Sequence, residues 1–262
     1  MKRFFAFVLL LTAAFACPEP VNAQQWYLTT KGGWGVGDVR LYPHWTSPPV
    51  WGKLNAGVGI FYYVGDSPNY YLADQYTGGI GIEIEYLQRG FQYAALDRDS
   101  ERYTYGRSVQ SIIIPLIWQP HFFLFDNQMR IFIDVGINAQ YNLSSKEYYI
   151  DKTTGQVEEK PYEMTSTRDN IFGYGLCGGL GVGWNWKHWE IAVSGRYYFG
   201  YSDIVKPATV NPTTQFQRSP LDNIYAALNF SYHWGHDLDK VGAKKRNAKS
   251  QQQFDSLMET KR

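Results

Sequence analysis

Eight stretches of this chain alternate apolar and polar residues with a period of two, and that alternation leaves few folds open. Successive side chains on a β-strand point to opposite faces, so each stretch offers one apolar and one polar face. The first sets Trp26, Leu28 and Thr30 against Tyr27, Thr29 and Lys31. The second sets Leu54, Ala56, Val58, Ile60 and Tyr62 against Lys53, Asn55, Gly57, Gly59 and Phe61. In the third, Ile80, Ile82, Ile84 and Tyr86 oppose Glu83 and Glu85. The fourth, residues 108–118, is nearly all apolar and carries Pro115, which predicts a bulge or a local break in pairing. The fifth opposes Met129, Ile131, Ile133, Val135 and Ile137 to Arg130, Asp134, Asn138 and Gln140. In the sixth, Phe172, Tyr174, Leu176, Leu180, Val182, Trp184 and Trp186 face away from Cys177 and a file of glycines. Ile191, Val193, Tyr197 and Phe199 then oppose Glu190, Ser194, Arg196 and Tyr198. The eighth opposes Ile224, Ala226, Leu228, Phe230, Tyr232 and Trp234 to Tyr225, Asn229, Ser231 and His233.

The N-terminus says where such strands would go. Lys2 and Arg3 precede an apolar run, residues 4–16, and Val21-Asn22-Ala23 offers a small-residue cleavage site before Gln24. Ala14 to Cys17 faintly suggests a lipoprotein box, but it lacks the usual leucine and the Ala23 site reads better. The apolar run is too short to span a bilayer, and nothing later approaches the ~18 apolar residues a spanning helix needs. The exported chain therefore enters a membrane as strands. A mean hydropathy of -0.37 suits half-apolar strands, and 17% aromatic residues suit girdles at two interfaces. A net charge of +1 gives no field to recruit nucleic acid. Cys17 leaves with the leader, so Cys177 has no partner and there is no disulfide framework.

The expectation is an all-β fold: an eight-stranded antiparallel up-and-down transmembrane β-barrel. It follows a signal peptide (1–23), fills residues 24–234 and leaves a polar periplasmic tail at 235–262. In that tail Phe254, Leu257 and Met258 could line one face of a short helix from Ser250, though a solvated tail is the plainer reading. Connection lengths test the count. With a periplasmic N-terminus, the outer connections run over residues 34–50, 96–107, 142–171 and 201–222. The periplasmic ones include the short 120–127 and the tight 187–188, and only 65–77 is longer than expected. Short periplasmic and long outer connections are the outer-membrane pattern, which places the chain in the outer membrane of a Gram-negative bacterium.

Three segments resemble the PorT-like family of outer-membrane β-barrel proteins. They are Ile82-Glu83-Ile84-Glu85-Tyr86-Leu87-Gln88-Arg89-Gly90, Ile112-Ile113-Ile114-Pro115-Leu116-Ile117 and Gly136-Ile137-Asn138-Ala139. The resemblance spans essentially all of the mature chain and implies an eight-stranded outer-membrane barrel. Its namesake is tied to protein secretion across that membrane.

Local motifs offer little chemistry. Gly173 to Gly178 matches G-x-G-x-x-G, but the alternation continues through it where a helix would have to start. A bare glycine face instead makes room for large lumen residues such as Arg130, Arg196 and Tyr198. Ser231 and His233 share a strand face without a third orienting group, and both point into the lumen, away from lipid. His44, Asp38 and Ser47 form a looser set, and the histidines lack metal-ligand spacing. Asp97, Asp99 and Glu101 could offer oxygens to Ca²⁺, but Arg98 and Arg102 neutralise them. Cys177 reads as an inert small residue. No catalytic, cofactor-binding or metal-binding residues are therefore assigned.

One constellation stands out. Lys53, Glu83, Glu85, Arg130, Asp134, Glu190 and Arg196 are all expected to project into one narrow lumen, where opposite charges must pair. The alternatives are a structural plug and a proton or small-ion path. The long third outer connection adds Tyr148, Tyr149 and Tyr162 among charges, a mix suited to protein or glycan contact. The functional expectation is a non-enzymatic barrel with a role in surface interaction or envelope structure. An accessory component of a secretion system, a lipid-modifying enzyme and a narrow channel are the rivals. Expected partners are outer-membrane lipid and other envelope or secretion proteins.

Overall fold

A computed structural model describes residues 24–42, 48–64, 76–95, 97–125, 128–186, 188–206 and 218–234. The proposed leader, most of the 65–77 connection, His44, Ser47 and the C-terminal tail lie outside the described residues. The elements are β1 (Gln24–Val39), β2 (Val50–Val64), β3 (Tyr76–Ala94), β4 (Tyr103–Leu124), β5 (Met129–Asp151), β6 (Val157–Tyr162), β7 (Phe172–Trp186), β8 (Trp189–Gly200) and β9 (Leu221–Trp234). Every pairing is antiparallel. Eight strands close on themselves in the order β1-β2-β3-β4-β5-β7-β8-β9, with β9 returning to β1 from Trp26↔Trp234 to Val39↔Leu221. β6 is the ninth described strand; among the described residues it pairs with β5 alone and lies outside the closed ring.

Parity decides facing. Ile82, between Ile60 and Leu116, points outward, while Glu83 beside it is 2% exposed. On β8, Val193 is exposed and Ser194 buried. Outward apolar side chains have only lipid to cover them, so the wall is a membrane-facing band. Aromatic rims flank it. Trp26, Tyr62, Trp184, Trp189 and Tyr232 sit at the end with the tight turns; Trp34, Tyr141, Phe172, Tyr174 and Tyr201 sit at the other.

Pro115 pairs with Asn138 of β5, but no registered pairs join Glu83-Ile84 to Ile114-Pro115. The register resumes unshifted at Glu85↔Ile113, so the missing proline N–H breaks the ladder locally without slipping it. The bulge in β4 pairing lies elsewhere, between Gln110 and Ser111. The glycines of β7 fit their cross-strand neighbours: Gly179 opposes Arg196, and a Cβ on Gly181 would strike the Phe132 ring.

The outer connections need correction. Residues 142–171 do not form one long loop. β5 continues to Asp151, turns, and returns as β6; β4 likewise starts at Tyr103 within the expected second loop. Asp151 Oδ1 accepts the amide of Thr153 at 2.8 Å, and Gly155 takes φ 69 to complete the turn. Beyond the membrane both strand faces meet water, so the apolar–polar alternation that marks a spanning strand disappears.

Candidate functional site: the lumen charge network

Inward parity brings six of the seven predicted charged residues to one level of the lumen. Arg196 on β8 is the hub. Its Nη2 donates to Asp134 Oδ2 at 2.6 Å, and its Nη1 donates to Glu85 Oε1 at 2.6 Å and also to Glu83. Arg130 on β5 grips Glu190 with two bonds of 2.6 Å, the fork geometry that strengthens guanidinium–carboxylate pairs. Neutral groups complete the shell. Gln119 Nε2 donates to Asp134 at 2.6 Å, Asn55 Nδ2 to Glu85 at 2.9 Å and the Tyr225 hydroxyl to Glu85 at 3.1 Å. Arg130 Nη1 also reaches Gln119 Oε1 and the Tyr63 hydroxyl, each at 2.9 Å.

Two placements differ from the sequence reading. Lys31 of β1 is a member: its ammonium donates to Glu83 at 2.6 Å and to Glu85 at 3.0 Å. Its parity beside Tyr27 and Thr29 was the available signal. Lys53 stands apart, with its ammonium 3.3 Å from the Ser108 hydroxyl. The network is buried throughout, its ion-pair side chains at most 4% exposed.

Above and below it the lumen is filled. Leu87, Ile113, Ile117, Tyr198, Tyr225 and Cys177 pack as one apolar layer. Further out Arg89 donates to Gln140, Ser111 and Asn142, and Val39, Phe91, Val109, Ile204 and Leu221 close over it. A cavity of ≈ 10 Å³ beside Lys31, Glu83, Arg130 and Glu190 has room for about one water. Ser231 Oγ lies 2.9 Å from Thr29 Oγ1 in this interior; the side chain of His233 is outside the described residues. Gly173 to Gly178 lies within β7, and there is no helix among the described residues.

The outer sheet holds the remaining candidates. Tyr149 is buried under Arg98, 4.1 Å from ring centre to guanidinium carbon, and donates to Asp97 at 2.7 Å. Tyr162 is sandwiched between Arg107 and Arg168 and donates to Asp169 at 3.0 Å. Tyr148 lies over Gly106. Asp99 accepts the Glu101 amide in a turn, and Arg98 and Arg102 pair with Glu158 and Asp151. No three His, Cys, Asp or Glu side chains among the described residues are grouped to hold a metal.

A closed eight-stranded antiparallel barrel with an outward apolar band, two aromatic rims and a charged, filled interior defines an outer-membrane β-barrel protein of a Gram-negative bacterium. The chain belongs to the family described as outer membrane protein beta-barrel domain, whose pattern matches residues 22–206. No curated protein matches the sequence. Among solved structures it is similar to the attachment invasion locus protein Ail of Yersinia pestis in complex with the heparin analogue sucrose octasulfate. Identity is 11% and the TM-score 0.38, covering 82% of this chain and 100% of that one. OprG of Pseudomonas aeruginosa gives 11% identity and a TM-score of 0.37 over 82% of this chain and 97% of that. The outer membrane protease OmpT of Escherichia coli gives 8% and 0.34 over 84% and 99%.

Proposed function

We propose that this barrel is non-enzymatic, does not conduct, and acts through the sheet that β4, β5 and β6 raise beyond the membrane, as a contact surface for another envelope or extracellular molecule. The observation that carries this reading is β6. Among the described residues it pairs on one side only, and its Val157, Glu158, Glu159 and Lys160 are exposed on a hairpin braced by buried Tyr149 and Asp151. An open edge invites a partner, while Pro161 and the charges oppose indiscriminate strand pairing. Tyr148, Tyr149 and Tyr162 would build this face rather than make the contact. The filled lumen supports a plug rather than a path.

Chemical crosslinking of intact cells should join this protein to a surface or envelope protein. Replacing residues 152–161 with a short Gly-Ser turn should abolish capture and leave heat-modifiable migration intact. Capture that survives this change but vanishes on removal of residues 235–262 would move the functional face to the periplasm. Sustained conductance in planar bilayers would replace the plug with a channel.

The second reading is an accessory role in protein secretion. The segment that most resembles the PorT-like family, Ile82 to Gly90, supplies Glu83, Glu85 and Arg89 to the lumen, which favours a shared interior design. Stable co-purification with secretion proteins would support it.

A further inference from the structure

Lys53 is built into the wall where β2 parts from β3. Registered pairing stops at Asn55↔Leu87, although β3 runs on to Ala94. Gly52, at φ 77, turns the chain there, and the Gln88 side chain takes over the amide of Leu54 at 3.4 Å. The Lys53 stem then crosses the outer face of β3 over Gly90, where a Cβ would stand 2.7 Å from Lys53 Cε. Its ammonium ends against Ser108 of β4, and no carboxylate among the described residues lies within the 4.0 Å of an ion pair.

The height of this cation gives it meaning. Just below it the wall presents Leu54, Tyr86, Ile112 and Leu143 to lipid; just above come Gln88, Gln110, Ser144 and Lys146. That change from apolar to polar marks the depth of lipid headgroups. Lys146 is the registered neighbour of Ser108, and its ion pair to Glu159 at 3.3 Å is half exposed and cheap to exchange. On the β8–β9 side of the same end, Arg40 lies over the Phe199 ring and is already paired with Asp222 at 2.7 Å.

We propose that Lys53, Ser108, Gln110 and Lys146 form a binding site for the phosphate group of a phosphorylated outer-leaflet lipid. The ammonium supplies charge, the hydroxyl and amide supply donors, and the apolar wall below receives the acyl chains. The membrane supplies this ligand at the depth where the patch lies.

Native mass spectrometry of the purified full-length protein tests the site, with bis-phosphorylated lipid A, its dephosphorylated counterpart and inorganic phosphate as probes. The phosphorylated lipid should stay bound, and Lys53→Gln should weaken it about tenfold, the scale of one charge-assisted hydrogen bond. Lys53→Arg should retain binding. Lys152→Gln, the same charge change in the turn six residues beyond Lys146, should leave it unchanged. Should Lys53→Gln fail to insert, Gln110→Glu, which sets a negative charge into the patch, should weaken binding instead. Equal binding by Lys53→Gln, equal retention of the dephosphorylated lipid, or equal loss in Lys152→Gln would overturn the site. Inorganic phosphate competing at matched concentration would overturn the lipid as its source.

Discussion

The lumen and the outer sheet are made from the same ion pairs, yet they do different work. Arg196 and Asp134 stand 2.6 Å apart in the lumen; Arg102 and Asp151 stand 2.8 Å apart above the membrane. Separation does not distinguish them. Solvent does: the first pair is at most 4% exposed, whereas the arginine of the second is 49% exposed. Two charges about 4 Å apart attract by ~1 kcal/mol in water and ~4 kcal/mol at an effective dielectric near 20. The larger attraction comes with a larger desolvation cost, so an intact lumen pair adds little net stability while a broken one is severe. The lumen network therefore enforces one arrangement, and the outer pairs merely tune theirs.

Breaking the hub should have the largest effect. Arg196→Ala leaves buried Asp134 without a cation and Glu83 and Glu85 sharing Lys31 alone, and should lower unfolding stability by roughly 3–5 kcal/mol. Urea unfolding in detergent or lipid measures it, and a loss below ~1 kcal/mol would erase the contrast. On the lipid side of the same strand, Val193→Arg should cost roughly 2–4 kcal/mol. Cysteine placed at 193 should react with a lipid-soluble probe and cysteine at 194 should not; the reverse would shift the register by one.

Arg107 sharpens the comparison because its pair with Asp169 is buried although it lies in the outer region. Burial, not the membrane itself, should set its cost. Tyr162, Thr165 and Arg168 still hold Asp169 in its absence, so Arg107→Ala should cost about 1–3 kcal/mol. Lys146→Ala, which removes a half-exposed partner of Glu159, should change stability by no more than about 1 kcal/mol.

The smallest effect is one of pH. Hydrogen bonds from Arg102 and from the amides of Thr153 and Thr154 hold the Asp151 carboxyl well below the ordinary carboxylate range. A depressed carboxyl contributes fully above its unfolded value, ~3.9, and loses that contribution as pH falls through the lower folded value. Exchange protection of the Gly155 amide, which donates to Asp151, should therefore persist at pH 4 and fade only in stronger acid. Arg102→Gln should move that loss to higher pH.

The barrel was legible because lipid and lumen impose opposite demands on alternate residues, and Ile80 to Tyr86 writes both demands into seven positions. Most of the network was legible for the same reason, since parity alone sends Glu83, Arg130, Asp134, Glu190 and Arg196 inward. Lys53 escaped that logic. Parity assumes an unbroken strand, and the turn at Gly52 with the parting of β2 from β3 carries its side chain to the outer face. The β5–β6 hairpin escaped because water lies on both its sides, so nothing penalises polar residues on either face. Its Asp151 and Gly155 turn chemistry was the one sequence sign present.

The seam between β1 and β9 has a consequence in time. Trp26 meets Trp234 across almost the whole described chain, so the last described strand is the partner of the first. Contacts of such sequence separation form late and slowly. Until they form, Lys31 on β1 and Arg196 on β8 belong to opposite flanks of an open sheet, and the carboxylates between them stay hydrated. Closure expels that water and joins both cations to the same two glutamates in one event. The network is thus a record that closure has happened, and a chain halted before β9 has no means of assembling it.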